Sequence, residues 1–425
     1  MSIKAKTTTM KNDGQPPLTP ELRFPEFRDA EGWDADQLGE VADFVSEKIP
    51  LGQITLASYV STENILPDYG GVTRASKLPT TGSVTRYRPD DTLVSNIRPY
   101  LKKVWVADKE GGASNDVIVI RAKQRLLKQY FSCLLKNDAF IDYVMTGAKG
   151  VKMPRGDVGS MKEYPTFYPS KPEQQKIADC LTAVDELIAA QTRKLDALKT
   201  HKKGLMQRLF PCEGETQPRL RFPEFQNAGE WKEDTLVNLA TFRRGSFPQP
   251  YGLPEWYDED GGMPFIQVFD VGENFRLKDK TKSKISKSGA EKSVFIPKGT
   301  LIVTLQGSIG RVAITHYDAY IDRTLLIFET FRKPIEKDFF ARLIQNLFDV
   351  EKEIAPGGII KTITKEALSD FKVKLPSIKE QQRIADCLTS LDDLIAAQTH
   401  NLDTLKTHKK GLMQHVFPSP EEVEA

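Results

Sequence analysis

The chain has few of the residues that build metal sites and disulfide frameworks. Its 425 residues include only four cysteines and five histidines. The cysteines lie at Cys133, Cys180, Cys212 and Cys387. This spacing does not fit a metal site, and sparse cysteines are typical of a reducing compartment. We therefore expect a cytoplasmic protein with no metal of its own.

Long apolar runs and an excess of one charge are missing as well. No stretch approaches the ~18 apolar residues of a membrane span, and the polar N-terminus has no apolar signal core. The 60 basic and 58 acidic residues give a net charge of +2. A nucleic-acid surface would therefore have to be local or shared with other chains, and we expect no membrane partner.

Motifs for catalysis are absent from the sequence. It contains no G-x-x-x-x-G-K-[ST] phosphate loop and no nucleophile elbow. It also lacks the N-P-P-[YF] and D-P-P-[YF] motifs of the kind that amino-methyltransferases use. Catalysis by this chain alone is not expected.

What the chain has instead is one stretch that occurs twice. Residues 173–211 and 380–418 align without a gap at an offset of 207 and match at 30 of 39 positions. A second marker, LRFPEF followed by a tryptophan, begins at Leu22 and again at Leu220, an offset of 198. Whole domains are therefore duplicated. The change in offset gives the second domain about nine more residues, which we expect in surface loops.

Each copy of the repeated stretch predicts a long helix with a coiled-coil seam. Seam positions alternate at steps of four and three residues, which is the 3.5-residue period of a coiled coil. In the first copy the seam comprises Ile177, Leu181, Val184, Ile188, Gln191, Leu195, Leu198, Lys202, Leu205 and Leu209. In the second copy it comprises Ile384, Leu388, Leu391, Ile395, Gln398, Leu402, Leu405, Lys409, Leu412 and Val416. The glutamines and lysines recur at matching places and should help to fix one register.

The ends of the helices are marked in the sequence. Ser170-x-x-Glu173 and Ser377-x-x-Glu380 have the spacing of a capping box, and each copy ends at a proline. Residues 126–145 and 335–354 are also predicted helical. Each follows short β-branched runs, typical of strands, that recur in the same order in both halves. The segments we expect are a flexible tail (1–20), a globule (21–169), a long helix (170–211), a second globule (212–376), a second long helix (377–418) and a C-terminal tail (419–425).

In this order, the duplicated segments resemble the specificity subunits of type I restriction-modification systems. The resemblance covers about residues 22–418. It rests on LRFPEF with Trp33 or Trp231, on the EQQ(K/R)IA opening of both helices, and on segments such as Gly307-Ser-Ile-Gly-Arg311. It implies an α+β fold of two target recognition domains joined by two long helices that form an antiparallel coiled coil. Each domain would read one half of a bipartite site in double-stranded DNA, and the coil would set the spacer.

The resemblance also implies partners. Two modification subunits would dock on the helices and methylate adenine with S-adenosylmethionine, and restriction subunits would add ATP-driven translocation and cleavage. S-adenosylmethionine, ATP and Mg²⁺ would then be bound by those partners. This chain would be a non-catalytic recognition subunit.

Candidate DNA-contacting residues are basic or polar and lie at predicted turns, where Lys and Arg suit phosphates and Arg and Asn suit base edges. In the first domain they are Arg86, Arg88, Asn96, Arg98, Tyr100, Lys102, Lys103, Lys149, Lys152 and Arg155. In the second they are Arg243, Arg244, Gln306, Ser308, Arg311, Lys361 and Thr362. A solvated hairpin face or a plain turn would explain the same residues, so both interpretations stay open. The lysine-rich stretch 278–292 is interpreted as a solvated loop, and His201 and His408 as exposed residues outside the seam.

Two other functional classes remain. One is a coiled-coil scaffold whose globules bind protein or carbohydrate, which would bind duplex DNA weakly even at low salt. The other is an enzyme with an unfamiliar active site, which would modify or cleave DNA as the isolated chain. A recognition subunit would instead bind DNA with an affinity that falls with salt.

Overall fold

A computed structural model describes residues 19–212, 214–272, 274–354, 368 and 371–418 of the chain. The chain divides into two compact units. The first unit comprises the chain up to Thr192 and from Asn401 onward, and the second comprises Arg193–His400. Each unit therefore holds one globule and a segment of both long helices.

Over residues 19–170, the first unit has ten strands and four short helices ahead of its long helix. The strands are β1 (Asp34–Gln37), β2 (Ala42–Phe44), β3 (Lys48–Pro50), β4 (Tyr59–Val60), β5 (Ser83–Tyr87), β6 (Thr92–Ser95), β7 (Val104–Val106), β8 (Gly111–Ala113), β9 (Val117–Ala122) and β10 (Pro165–Tyr168). The helices are α1 (Leu38–Val41), α2 (Lys128–Leu135), α3 (Asp138–Thr146), α4 (Val158–Lys162) and the long helix α5 (Lys171–Leu209).

The second unit repeats this order. Its strands are β11 (Lys232–Thr235), β12 (Ala240–Arg244), β13 (Met263–Ile266), β14 (Ser283–Ile285), β15 (Val294–Ile296), β16 (Leu301–Thr304), β17 (Val312–Ile314), β18 (Ala319–Ile321), β19 (Leu325–Phe331) and β20 (Lys372–Leu375). Its helices are α6 (Leu236–Leu239), α7 (Lys287–Ala290), α8 (Lys337–Ile354) and the long helix α9 (Ile378–His415), which continues into the first unit.

Sheet topology confirms the duplication and shows where the halves diverge. The antiparallel sheet β2-β9-β6-β7 has its counterpart in β12-β19-β16-β17. In the other sheet, β5-β8-β4 corresponds to β15-β18-β13, with one parallel pair in each. The fourth strand lies at opposite edges, because β3 pairs with β5 whereas β14 pairs with β13. The two halves thus have equal numbers of described strands, but the fourth strand of this sheet comes from a different part of the chain in each half.

The tryptophan of each repeated marker anchors the end of a long helix in the core of its unit. Trp33 packs edge-on against Tyr130 and against Phe417, which follows α9. Trp231 does the same with Phe339 and with Phe210, which follows α5. Aromatic contacts of this geometry add to the free energy of burial. Each globule is therefore packed against the incoming end of the helix that starts in the other half of the sequence.

The long helices run antiparallel in both units, as the resemblance implies. In the first unit Lys409 Nζ lies 2.6 Å from an oxygen of Asp185, and the aligned residues Lys202 and Asp392 form the same pair in the second unit. Every position of the predicted seam is buried or half-buried, whereas His201 and His408 are exposed. The seam lysines therefore lie beside carboxylates of the opposite helix, so each adds a specific ion pair to the apolar seam.

An arginine ties each repeated marker to the start of a long helix. Arg23 donates to both carboxylate oxygens of Glu173, each at 2.8 Å, and Arg221 donates to both oxygens of Glu380, each at 2.7 Å. The capping-box prediction was wrong for these carboxylates, although the helices do begin directly after the predicted serines. A bidentate guanidinium is a stronger partner than a backbone amide, so the marker arginine takes the carboxylate.

The predicted helix at 126–145 is two helices. Asn137 separates α2 from α3 and accepts a hydrogen bond from Ala139 N at 3.0 Å, which starts a new helix. Its side-chain amide donates to Met413 O at 3.1 Å. The second half keeps one helix, α8, at this place.

Candidate nucleic-acid interface

Two neighbouring loops collect most of the exposed candidates of the first unit. The turn after β6 (residues 96–103) pairs with the loop of residues 147–157 through an isolated β-bridge between Ile97 and Arg155. Arg98 N donates to Pro154 O at 2.8 Å. We call these two segments the basic loop pair. The backbone of Arg98 has a positive φ of 51°, a conformation that is rare for residues other than glycine. The turn therefore fixes the direction in which the Arg98 side chain leaves the backbone.

The basic loop pair presents cations beside apolar and aromatic surface. Its exposed members from the sequence analysis are Arg98, Tyr100, Lys149, Lys152 and Arg155. Lys149 pairs with Asp157 at 3.1 Å and Arg155 with Asp116 at 3.2 Å, while Arg98 and Lys152 form no ion pair with the residues described. Cations without internal partners are the ones best able to neutralise a phosphate. Val151 and Met153, which sequence reasoning did not single out, are exposed between them.

Other candidates of the first unit are held by internal partners. Arg86 pairs with Glu110 at 2.6 Å and with Glu47 at 3.0 Å, and Arg88 pairs with Glu47 at 3.1 Å. The hydrogen bonds that Arg86 donates to these two carboxylates, that to Glu110 first, raise the pKa of Arg86. The charges of this arginine pair are thus balanced on the sheet face, which favours the interpretation as a solvated hairpin face there.

The remaining candidates of this unit are two lysines with internal partners and Asn96. Lys102 pairs with Asp138 at 2.6 Å, and Lys103 donates to Thr62 O at 2.7 Å. Asn96 is half-buried, and its Oδ1 has no hydrogen-bond partner among the described residues. That buried oxygen is available to a hydrogen-bond donor on a ligand or to a water molecule.

The Asp138 carboxylate gives the first unit a pH dependence. Burial alone would raise the pKa of Asp138, but Lys102 and Lys410 hold it below its ordinary value. Because the folded pKa lies below the unfolded one, the stabilisation is present above about pH 4 and is lost as the pH falls through the folded pKa. Below about pH 4, the free energy of unfolding should therefore fall less steeply with pH in Asp138→Asn than in the parent protein. Urea titrations at a series of pH values measure this. An Asp138→Asn variant that loses stability below about pH 4 as steeply as the parent protein would contradict the assignment.

The corresponding turn of the second unit is glycine-dependent. Gly307 and Gly310 have φ values of 65° and 79°, and a Cβ on Gly310 would lie 2.6 Å from Phe348 Cβ. Gln306 and Ser308 are exposed on this turn, whereas Arg311 is half-buried with its Nη1 3.5 Å from Val271 O. The glycines let the chain turn tightly above α8 and project the two polar side chains outward.

Arg243 and Arg244 lie apart from this turn in sequence, at the exposed end of β12. Lys361 and Thr362 are outside the described residues. The lysine-rich stretch 278–292 is not a loop throughout, because it contains β14 and α7. Two of its lysines lie over aromatic rings, Lys282 over Phe269 at 4.9 Å and Lys292 over Trp256 at 4.5 Å. The prediction of a solvated loop at residues 278–292 was wrong. Its lysine- and serine-rich composition is typical of a loop, but β14 pairs with β13 and so gives the segment a regular structure.

Sequence reasoning missed an aromatic surface in the second unit. Tyr251 is half-exposed, with the guanidinium of Arg323 5.5 Å from its ring centre. Gln267 Nε2 donates to the Tyr251 hydroxyl at 3.3 Å. Aromatic, amide and guanidinium groups grouped in this way suit stacking and base-edge contacts. The three residues are far apart in sequence, so no local pattern could have grouped them.

Sites for other chemistry are not found in the part of the chain that the structure describes. No group of three or more His, Cys, Asp or Glu residues there could hold a metal ion. All four cysteines are free thiols. None of the described helices is both long and apolar enough to cross a membrane.

Known proteins are similar to this chain in sequence. The chain is 24% identical over 254 residues to the MjaX specificity subunit of Methanocaldococcus jannaschii, covering 58% of this chain and 56% of that subunit. It is 22% identical over 324 residues to the type I restriction enzyme MjaVIII specificity subunit of the same organism, covering 72% and 73%. The chain thus spans about half the length of the first relative and nearly three quarters of the second.

Solved structures show the same fold. A chain from a structure on complex assembly and conformational transition of the type I R-M system covers 91% of this chain at a TM-score of 0.60 and 20% identity, and 98% of that chain is covered. The type I restriction-modification S subunit from M. genitalium covers 94% at a TM-score of 0.56 and 15% identity, with 99% of it covered.

The family match follows the duplication. Residues 30–200 and 229–407 each match the family model described as type I restriction modification DNA specificity domain. Each match contains one globule and most of the long helix that follows it. These two matches cover well over half of the chain, and the chain belongs to the type I restriction-modification DNA specificity family.

Proposed function

We propose that this chain is the DNA sequence-specificity subunit of a type I restriction-modification complex. Each globule reads one half of a bipartite site, and the antiparallel helices set the spacer and dock the methyltransferase subunits. The observation that carries the proposal is the pairing of a duplicated globule with a duplicated helix seam. Two related reading modules on one scaffold match a DNA site with two half-sites at a fixed separation.

The chemistry belongs to partner chains in this proposal. Adenine methylation with S-adenosylmethionine is assigned to two modification subunits, and ATP- and Mg²⁺-dependent translocation and cleavage to restriction subunits. This chain contributes recognition and geometry. The scaffold alternative, in which the globules bind protein or carbohydrate, has no support among the relatives.

The test is a methylome by single-molecule sequencing of cells that carry this chain with its neighbouring methyltransferase gene. The expected result is a bipartite methylated-adenine motif that disappears when this chain is deleted. A methyltransferase that still methylates the same motif without this chain would overturn the proposal.

The basic loop pair allows a prediction about the affinity of the complex for DNA. We expect Arg98→Ala and Lys152→Ala each to weaken DNA binding by the assembled complex about tenfold and to lower the salt slope by roughly one, because each removes a cation that has no internal partner. Fluorescence anisotropy across a salt series measures both quantities.

Arg88→Ala is the matched control, because the Arg88 guanidinium is already paired with Glu47. It should change the affinity less than about twofold. If Arg88→Ala weakened binding more than Arg98→Ala, the balanced sheet face and not the basic loop pair would be the contact surface.

A further inference from the structure

One arginine of the second unit is inserted at the junction between globule and helix pair. Arg342, on α8, is 2% exposed, and its Nη2 donates to Asp392 at 2.7 Å and to Thr389 Oγ1 at 3.1 Å. Its guanidinium lies 4.9 Å from the ring centre of Phe275. The other oxygen of Asp392 pairs with Lys202. Asp392 therefore holds two cations, one from each side.

The first unit repeats these surroundings but not the arginine. The repeat offset of 207 makes Thr182, Asp185 and Lys409 the counterparts of Thr389, Asp392 and Lys202. The register of α2 against α8 follows from matching hydrogen bonds, since Leu127 N donates to Gln174 Oε1 and Glu336 N donates to Gln381 Oε1. These bonds align Arg342 with Cys133.

A pocket of about 310 Å³ lies where the guanidinium would be. Its lining includes Cys133, Lys136, Thr182, Asp185 and Lys409. Asp185 accepts from Lys409 at 2.6 Å, but among the described residues no second cation pairs with it. The side chain of Asp185 is 46% exposed, against 12% for Asp392. The acceptors that hold Arg342 in one unit are thus presented to an open pocket in the other.

The lysine at the pocket does not replace the arginine. Lys136 lines the pocket but forms no ion pair with any described residue. Burial lowers its pKa, and the attraction of Asp185 offsets this only in part. Burial also raises the pKa of the Cys133 thiol, which is therefore a neutral part of the wall. The hydroxyl of Thr182 and the free side of Asp185 offer two acceptors to one donor group. A planar guanidinium with several N–H groups fits such a pair better than an ammonium point charge.

We propose that this pocket binds an arginine side chain of the methyltransferase subunit, which supplies to the first unit the guanidinium that Arg342 supplies to the second. Glu186 and Ala189 are exposed residues of α5 at the pocket, so the site opens beside the outer face of the helix pair. A side chain from a docked polypeptide can enter there. The identity of the partner rests on the proposed function, whereas the preference for guanidinium does not.

Cys133 provides a direct reporter of occupancy. The experiment follows alkylation of the full chain by iodoacetamide, with peptide mass spectrometry for each cysteine, in methylguanidinium or in methylammonium at equal millimolar concentration. We expect methylguanidinium to slow modification of Cys133 about threefold more than methylammonium does, because only the planar ion engages both acceptors. Cys180, Cys212 and Cys387 serve as internal controls and should react equally in both salts. Equal rates at Cys133 in the two salts would overturn the proposal.

Asp185→Asn keeps the shape of the pocket and removes its charge. In this variant the difference between the two salts at Cys133 should disappear, while the other cysteines react as before. Because Asp185 is half-exposed, the variant is expected to fold, which near-UV circular dichroism checks. Guanidinium-specific protection that persists in Asp185→Asn would place the ion elsewhere and contradict the site.

The complex with the methyltransferase subunit tests the source of the arginine. Cys133 should be protected in the complex, and Cys133→Arg, which fills the pocket from within the chain, should weaken assembly about tenfold by displacing the incoming side chain. Protection by methylguanidinium without protection in the complex would overturn the assignment to this partner. Loss of DNA binding by the complex would bear on the proposed function and not on the pocket, because the alkylation assay contains no DNA.

Discussion

Arg221→Met is expected to lower the free energy of unfolding of the second unit by about 3–5 kcal/mol. Arg221 and Glu380 are almost fully buried, with 8% and 1% of their side chains exposed. Without the guanidinium, Glu380 would keep a buried charge with no cation beside it. Such a charge costs far more than the lost attraction, because the carboxylate gave up its hydration on folding. Urea denaturation followed by tryptophan fluorescence measures the change.

The neighbouring sequence offers a matched control. Arg219 lies two residues from Arg221 and pairs with Glu215 at 3.0 Å, but 65% of the Arg219 side chain is exposed. Arg219→Met should therefore lower the free energy of unfolding far less than Arg221→Met does, because solvent screens an exposed ion pair. A large loss in both variants would mean that the segment, not the buried ion pair, is responsible.

Two further variants separate charge from packing. Arg221→Met combined with Glu380→Gln should recover part of the lost stability, since the unpaired charge is gone. Arg23→Met should reproduce the single-variant loss in the first unit, where Glu173 is also 1% exposed. A double variant no more stable than Arg221→Met alone would show that the loss comes from packing of the arginine stem.

This buried pair also shows how far the sequence could be interpreted. The long helices and the strands around Thr92–Ser95 and Leu301–Thr304 are confirmed, because each depends on local periodicity that the duplication displays twice. The carboxylates at the helix starts were assigned to capping boxes on equally local grounds. Their partners lie 150 and 159 residues away, so no spacing rule could find them.

The candidate DNA-contacting residues, too, were only partly predictable from the sequence. Basic residues could be found in the sequence, but whether a cation is available depends on carboxylates brought to it by the fold. Arg86 and Arg98 are equally basic in sequence, yet only Arg86 meets Glu47 and Glu110. The pocket at Cys133 was beyond sequence reasoning for a related reason. The pocket can be interpreted only by comparison with Arg342 in the other unit. That comparison needs the register of α2 against α8, which only the hydrogen bonds of each unit provide.

Insertion of one heptad into both long helices is expected to move the methylated motif from its parent spacer to one about 3 bp longer, with both half-sites retained. A heptad adds about 10 Å of helix, which matches about 3 bp at 3.4 Å per step. The insertion must be made in both helices, because they pair antiparallel in register. With Lys202 opposite Asp392, Leu195 lies opposite Thr399. The heptads therefore belong after Leu195 and after Gln398.

The period of the seam supplies the control for this insertion. One heptad returns every seam residue to its face, whereas an insertion of three residues in both helices overwinds the coil and rotates one unit of the seam relative to the other. We expect the heptad variant to methylate the lengthened motif and the three-residue variant to methylate neither motif. Single-molecule sequencing of the two strains gives the result directly. Methylation of the parent motif by the heptad variant would mean that the spacer is set by something other than the helices, even if both globules still read their half-sites.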